Sequence, residues 1–419
     1  ASIRQDGYSR FGENFVHATF PSVSAAWTLT NEAFMAGRPD WMEFLKVRAS
    51  WGVNGNSSGL DSYAAYSNLD RSKYLNWSGG FFTANRLTIG RIANPNLAWE
   101  KNNALNFAID YGLWGGRVTG SLDVYSAKTT DLLLNKKLPV LTGFSEITTN
   151  VGSLKNTGFD LSINTVNVEN SDFRWTTNLN MSYNKNEIVS LTGELVEDEN
   201  GNLVEPDDFD NGWFIGENKD VIWNFEMGDV YSTDEAAEAA EWGLFPGDFS
   251  FVDQNGDGVL NTDDKVFQGL TKNPWYITMR NDFTWRNFDM GVVFLSKLGW
   301  YGGSSLPFNQ DQTYIKNHNW WSEFGYWTPQ NQVKDFARIN SIRLNGDMRI
   351  YVPRDYVRLQ NLSLGYNIPS DVLESIKVSR ARVAFNAENV FVLTKWYDGD
   401  PESRVEMPRV WSFSVDFSF

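Results

Sequence analysis

The side chains with the clearest capacity for chemistry are the oxygen donors of "DQNGDGVLNTDD". Asp253, Asn255, Asp257, the Val259 carbonyl, Asn261 and Asp264 fall at positions 1, 3, 5, 7, 9 and 12 of a calcium loop, and Gly258 falls at position 6, where such a loop turns sharply. Hard oxygen donors at this spacing wrap Ca2+, and the expected role of the metal is structural, pinning a long loop. The last donor is Asp where Glu is usual, and no clear helix follows. A second reading stays open, because Asn, Gly and Asp at this density also build turns that satisfy their own backbone.

Catalytic chemistry finds little support. The two histidines, His17 and His318, stand far apart without ligand spacing, which argues against a zinc site and against a Ser/His/Asp triad. Loop carboxylates are plentiful, but nothing singles out an acid and base pair at glycosidase separation. Gly52 and Gly55 do not follow a strand and open a helix, so they make no phosphate cradle. The chain has no cysteine, which excludes a disulfide framework and a thiolate metal site. A net charge of -16 excludes a nucleic-acid partner, since phosphate neutralisation needs clustered Lys and Arg. Acidic loops that face outward suit this balance, and no enzyme activity is expected.

Two further stretches belong to loops. In "NWWSEFGYWTP", Trp320, Trp321, Tyr326 and Trp327 have the rings to stack on sugars or grip a peptide. Large loops more often use aromatics to pack on one another, and Trp213, Trp223 and Trp396 fall under the same reading. "STDEAAEAAEWGLFPGD" predicts a short helix with Ser232 as N-cap and Glu235 closing a capping box, ended by Gly243 and Pro246.

The elements that must position these loops are strands. In the closing "WSFSVDFSF", Trp411, Phe413, Val415, Phe417 and Phe419 share one face and Ser412, Ser414, Asp416 and Ser418 the other. "LKVRASWGV", "LNFAIDYGL" and "WTTNLNMSYN" repeat that alternation with a polar face rich in Lys, Arg, Asp and Asn. About twelve such strands are expected, near residues 3–11, 20–30, 43–53, 101–113, 116–127, 150–167, 173–188, 275–286, 287–300, 355–367, 377–394 and 410–419. "VRLQNLSLGY" changes phase between Leu359 and Leu362, which predicts a β-bulge. No stretch approaches the roughly 20 apolar residues of a spanning helix. A mean hydropathy of -0.40 looks soluble, yet a membrane barrel escapes hydropathy because only alternate strand residues are apolar.

Connection length decides between a soluble β-protein and a membrane wall. Tight turns at Trp114–Gly116, near Asn167 and at Arg286 alternate with connections of roughly 45, 20, 85 and 55 residues. Short periplasmic turns and long extracellular loops follow that parity in outer-membrane barrels, whereas a sandwich with crossing connections has no reason to obey it. The fold class expected is therefore all-β, an antiparallel transmembrane β-barrel with long extracellular loops. Residues 189–273, which include the calcium-type loop 253–264, and residues 301–354 form two of those loops. Trp51, Trp99, Trp175 and Trp285, near strand ends, are expected in the aromatic girdles.

The residues also carry a resemblance. "FPSVSAAWTLTNEAFM", "FLKVRASWGVNGN", "NPNLAWEKNNALNFAIDYGLWGGRVTGSLDVYSAKTTDLL", "NVGSLKNTGFDLSIN", "FVDQNGDGVLNTDD", "YWTPQN", "LQNLSLGYNIPS" and "AFNAENVFVLTKWYDGDPE" stand in this order. Together they resemble the C-terminal half of SusC/RagA-like TonB-dependent transporters of Bacteroidetes-type outer membranes. The resemblance implies a 22-stranded barrel of which residues 1–419 form the second half, with the plug and TonB box outside this chain. The opening "ASIRQDGYSRFG" reads as a strand already under way, in line with that expectation.

The resemblance further implies the partners: a SusD-like surface lipoprotein as lid, the TonB complex reached through the missing N-terminal part, outer-membrane lipid and the barrel-assembly machinery. Terminal Phe419 is then the assembly signal. The function implied is import of oligosaccharides or oligopeptides. The alternative is a SusC-like barrel used as a structural subunit of a larger outer-membrane assembly. "DPESRVEMPRVW" looks shorter than the family's usual last extracellular loop.

Overall fold

The computed structural model describes residues 1–58, 60–75, 81–144, 146–198, 200–308, 325–374, 378–403 and 405–418. Its main element is a 12-stranded sheet in which order in space follows order in the chain. The strands are β1 (Ser2–Gly7), β2 (His17–Thr28), β3 (Met42–Asn56), β4 (Glu100–Leu113), β5 (Val118–Thr130) and β6 (Ser153–Glu169). They continue with β7 (Phe173–Ser190), β8 (Trp275–Trp285), β9 (Phe288–Leu298), β10 (Tyr356–Asn367), β11 (Arg380–Thr394) and β12 (Val410–Ser418). All twelve expected strands are found. Among the described residues no helix is long and apolar enough to cross a membrane.

By internal packing the chain divides into two units, Ala1–Val166 with Ser182–Lys219, and Asn167–Met181 with Asp220–Phe419. In the first, register aligns the apolar residues in rows: Ala49, Phe107, Val124 and Phe159 face one another in turn, as do Val47, Ile109, Leu122 and Leu161. Phe107 and Val124 are half exposed, uncovered by any of the described residues. The opposite face is wet and internally paired. Arg48 donates to both Asp110 oxygens at 2.8 and 2.9 Å and to Asp123 at 3.1 Å, and Lys46 lies 3.6 Å from Asp110. A slip of one residue in any pairing would exchange these faces, so the pattern fixes the register.

Two glycines notch this part of the sheet. Gly120 faces Tyr111 across the β4–β5 ladder and Gly158 faces Tyr125 across β5–β6. A Cβ at either position would come within 2.6 Å of the opposing tyrosine oxygen, so each ring lies across the bare backbone of its neighbour. Toward the ends of β2 and β3, Phe11, Phe20, Leu60, Leu97 and Trp99 form a small buried core. Phe11 belongs to that core and not to a strand, which is why β1 stops at Gly7 rather than running to residue 11.

In the second unit the apolar rows cross five strands. Phe283, Met290, Leu364, Phe385 and Phe413 form one, and Trp285, Phe288, Tyr366, Val383 and Val415 the next. Phe413 is 69% exposed and Trp285 55%, values a soluble sheet avoids and a lipid-facing one requires. On the other face Arg382 pairs with Asp289 and Arg280 with Asp282, each at 2.7 Å. The expected bulge is Gln360: both neighbouring strands pair with Leu359 and Asn361 and skip the residue between.

The connections alternate. Residues 29–41, 114–117, 170–172, 286–287 and 368–379 join strands at one end, and 8–16, 57–99, 131–152, 191–274, 299–355 and 395–409 at the other. The long ones fold on their own account. Leu133–Lys137 pairs with Glu146–Asn150, Val221–Phe225 with Lys265–Leu270, and Met227–Val230 with Phe249–Phe251. These inner hairpins are too short to show a period in sequence. The helix Ala236–Glu241 follows a capping box in which the Ser232 N–H donates to Glu235 at 2.7 Å, and Gly243 leaves it at φ 70°.

Candidate functional site

The long connections gather every candidate. In 253–264 the oxygens turn inward on their own loop. Asp253 accepts from the amides of Gly256 and Gly258 at 2.8 and 2.9 Å, Asn255 from Asp257, Asp257 from Val259, Asn261 from Asp263, and Asp264 from Gln254 and Asn261. Gly256 and Gly258 take φ 71° and 75°, which the turns need. The Gly258 amide, with those of Gly256 and Asp257, holds the Asp253 carboxyl below the usual carboxylate range against the desolvation that raises it. Asp264 is fully buried and closes the capping box of the one-turn helix Thr262–Asp264, whose N-cap is Asn261. Among the described residues no three acidic or histidine side chains converge as a metal cluster. Each carboxylate oxygen bonded to one amide keeps a second lone pair, so this hydrogen bonding is compatible with both readings of the motif.

The aromatic stretch divides. Trp320 and Trp321 lie outside the described residues, as does Phe419. Tyr326 is exposed. Trp327 is not a surface platform: it is 6% exposed and packs with Phe225, Val230, Phe249, Phe308 and Met348 in the core of the long loops. The apolar cost of leaving an indole in water outweighs its use as a surface ring here. Trp396 is likewise buried, its ring 4.9 Å from the Arg354 guanidinium, which also sits 4.3 Å from Trp300. Trp51 and Trp285 are exposed at strand positions, as girdle residues would be, whereas Trp99 is buried in the small core.

Two arrangements were not visible in the sequence. The first pins the last loop. Arg358 donates to both Asp400 oxygens at 2.7 and 2.9 Å with side chains 4% and 5% exposed. Glu402 completes it, taking Lys297 at 2.5 Å and the Tyr356 hydroxyl at 3.1 Å. The second is Glu205, on which the consecutive amides of Leu191, Thr192 and Gly193 converge. Burial pushes the Glu205 carboxyl up, but these amide donors together with the Ser190 hydroxyl outweigh it and leave the group below its ordinary value.

A two-faced antiparallel wall with every long connection at one end is a membrane-barrel wall, and comparison with known proteins places it. The family described as TonB dependent receptor-like, beta-barrel matches residues 1–390. The chain belongs to that family. Its members are outer-membrane transporters and not enzymes. The TonB-dependent receptor P26 of Formosa agariphila is 32% identical over 95% of this chain and 40% of its own length. The TonB-dependent receptor SusC of Bacteroides thetaiotaomicron is 27% identical over 100% of this chain and 41% of its own. The chain thus spans about two fifths of the curated relatives it matches. The solved RagAB peptide transporter superposes on 100% of the chain and 45% of its own, with a TM-score of 0.75 at 23% identity, which shows the same fold. The resemblance to SusC/RagA-like TonB-dependent receptors therefore holds.

Proposed function

We propose that this chain builds part of the wall and outer vestibule of a TonB-dependent importer of oligosaccharides or oligopeptides, in the outer membrane of a Bacteroidetes-type bacterium. One observation carries the reading: the sheet bares apolar rows on one face, pairs its charges on the other, and sends its long, internally packed connections to a single end. Lipid covers the first face. The second borders the pore, where Lys46 and Arg48 neutralise Asp110 and Asp123 and leave a hydrated, weakly charged surface. A SusD-like surface lipoprotein closes over the long connections, and TonB acts through plug and TonB box. Relatives named SusC and RagAB support the lid. Phe419 is the proposed signal to the barrel-assembly machinery.

Calcium belongs to the same proposal. The support is the six-position spacing of Asp253, Asn255, Asp257, Val259, Asn261 and Asp264, together with an Asp253 carboxyl held ionised.

The experiment is gene deletion in the source bacterium, followed by uptake of labelled oligosaccharide and oligopeptide pools and by purification of the native complex. Import predicts loss of one pool's uptake and a co-purifying lipoprotein. Unchanged uptake of both pools with an altered outer-membrane assembly would favour the structural-subunit alternative.

A further inference from the structure

The hairpin formed by Leu133–Lys137 and Glu146–Asn150, together with segment 191–213, encloses a cavity of about 670 Å3. Both walls come from long connections, so the cavity lies at the end of the strands where cargo is met. Leu134, Leu191, Phe209 and Trp213 give it an apolar lining. Two cations and five carboxylates share that lining, and the cations are already engaged. Lys136 pairs with Glu194, and the Lys137 Nζ stands 2.7 Å from Asp210. Glu146, Asp207 and Asp208 then leave the lining with a net negative charge.

The segment that forms this wall has the same sign. Residues 191–219 hold nine acidic residues and one basic residue, a net charge of -8, half of the -16 carried by the whole chain. Field lines from such a segment draw cations toward a low-dielectric cleft.

We infer that this cavity is a subsite for the lysine or arginine side chain of a peptide. The inference rests on the importer reading and narrows its cargo to cationic oligopeptides. The aliphatic stem packs on Leu134 and Leu191, the charged head meets Glu146 and Asp207, and Trp213 and Phe209 add aromatic surface to the same lining. An acidic peptide of equal length meets repulsion at the same point.

Calorimetric titration of the full-length transporter in detergent tests this with a lysine-rich hexapeptide and its glutamate-rich counterpart. The lysine peptide is expected to bind at least about tenfold tighter, the equivalent of about one partly screened charge pair. That preference falls as salt rises. Glu146→Gln with Asp207→Asn keeps the oxygens that accept from Asn135 and Ile215 and removes the charge, so the preference should drop about tenfold. Asp210→Asn reaches the same result independently by releasing Lys137 into the cavity. Glu238→Gln, in the acidic helix outside the cavity, should leave the preference as it was. Equal affinity for the two peptides, or a preference that survives both cavity variants, overturns the inference. Loss of the importer reading shows separately, as cationic binding that persists in a protein with no uptake.

Discussion

Asp400→Asn is the sharpest perturbation of the last long connection. The substitution leaves the Arg358 guanidinium, 4% exposed, without its full countercharge, and the nearest Glu402 oxygen is 4.0 Å away. Orphaning one member of a buried pair costs about 3–5 kcal/mol, and the partial compensation by Glu402 sets the expected loss near the lower bound, about 3 kcal/mol. The amides of Glu402 and Ser403 also lose the charge of their Asp400 acceptor. The loss falls on segment 397–403 because Arg354, between Trp300 and Trp396, holds the adjoining strand end separately. Amide hydrogen exchange of the purified protein reads it directly: opening of 397–403 should rise by about two orders of magnitude, while β12 amides such as Phe413 stay protected. A double variant, Arg358→Met with Asp400→Leu, replaces the pair by packed apolar groups and should return exchange to within about tenfold of the parent. Unchanged exchange in Asp400→Asn, or a double variant as open as the single, would refute the argument that burial of the pair is what pins the loop.

Trp327→Ala should lower stability by about 3–5 kcal/mol through a cavity in the loop core, whereas exposed Tyr326→Ala should change it by less than about 0.5, both read by chemical denaturation. Added Ca2+ should raise the melting temperature of the purified protein and protect residues 253–264 from exchange; Asp253→Asn should abolish both effects, and a parent indifferent to Ca2+ and chelator would remove the metal. Gly120→Ala should impair barrel folding, seen as loss of the compact band in unboiled gels, because its Cβ would come within 2.0 Å of the Ser162 carbonyl oxygen and enter the space of Tyr111. The Glu205 carboxyl lies below its ordinary value in the folded chain, so its contribution is full above the unfolded carboxylate range and is lost as pH falls through the folded value. Exchange of the Leu191–Gly193 amides should therefore accelerate on acidification, and Glu205→Gln should show the acid behaviour already at neutral pH.

The strands were legible because each must offer one face to lipid and one to water. Trp411 through Ser418 announces that in eight residues, and even the bulge at Gln360 appears as a phase slip between Leu359 and Leu362. Phe11 misled because an apolar residue in step with a strand looks the same whether it continues the strand or turns under it into a core. Loop aromatics carry no period, so nothing in "YWTP" distinguishes buried Trp327 from exposed Tyr326. The ion pairs that shape the sites join Lys137 to Asp210 and Arg358 to Asp400 across tens of residues. Single-sequence patterns hold no information at that range. The calcium-type spacing stood out only because its donors are local.

Unequal connection lengths make this architecture tolerant of insertion on one side alone. Loop-closure entropy grows slowly, by about 0.6 kcal/mol for each doubling, so the end bearing 191–274 absorbs grafts and natural elaboration at little cost. At the opposite end a two-residue turn such as 286–287 sets the stagger of its hairpin, and any added residue propagates along both strands. Diversification, epitope display and re-targeting are accordingly confined to one surface of the molecule, while the other behaves as a fixed chassis.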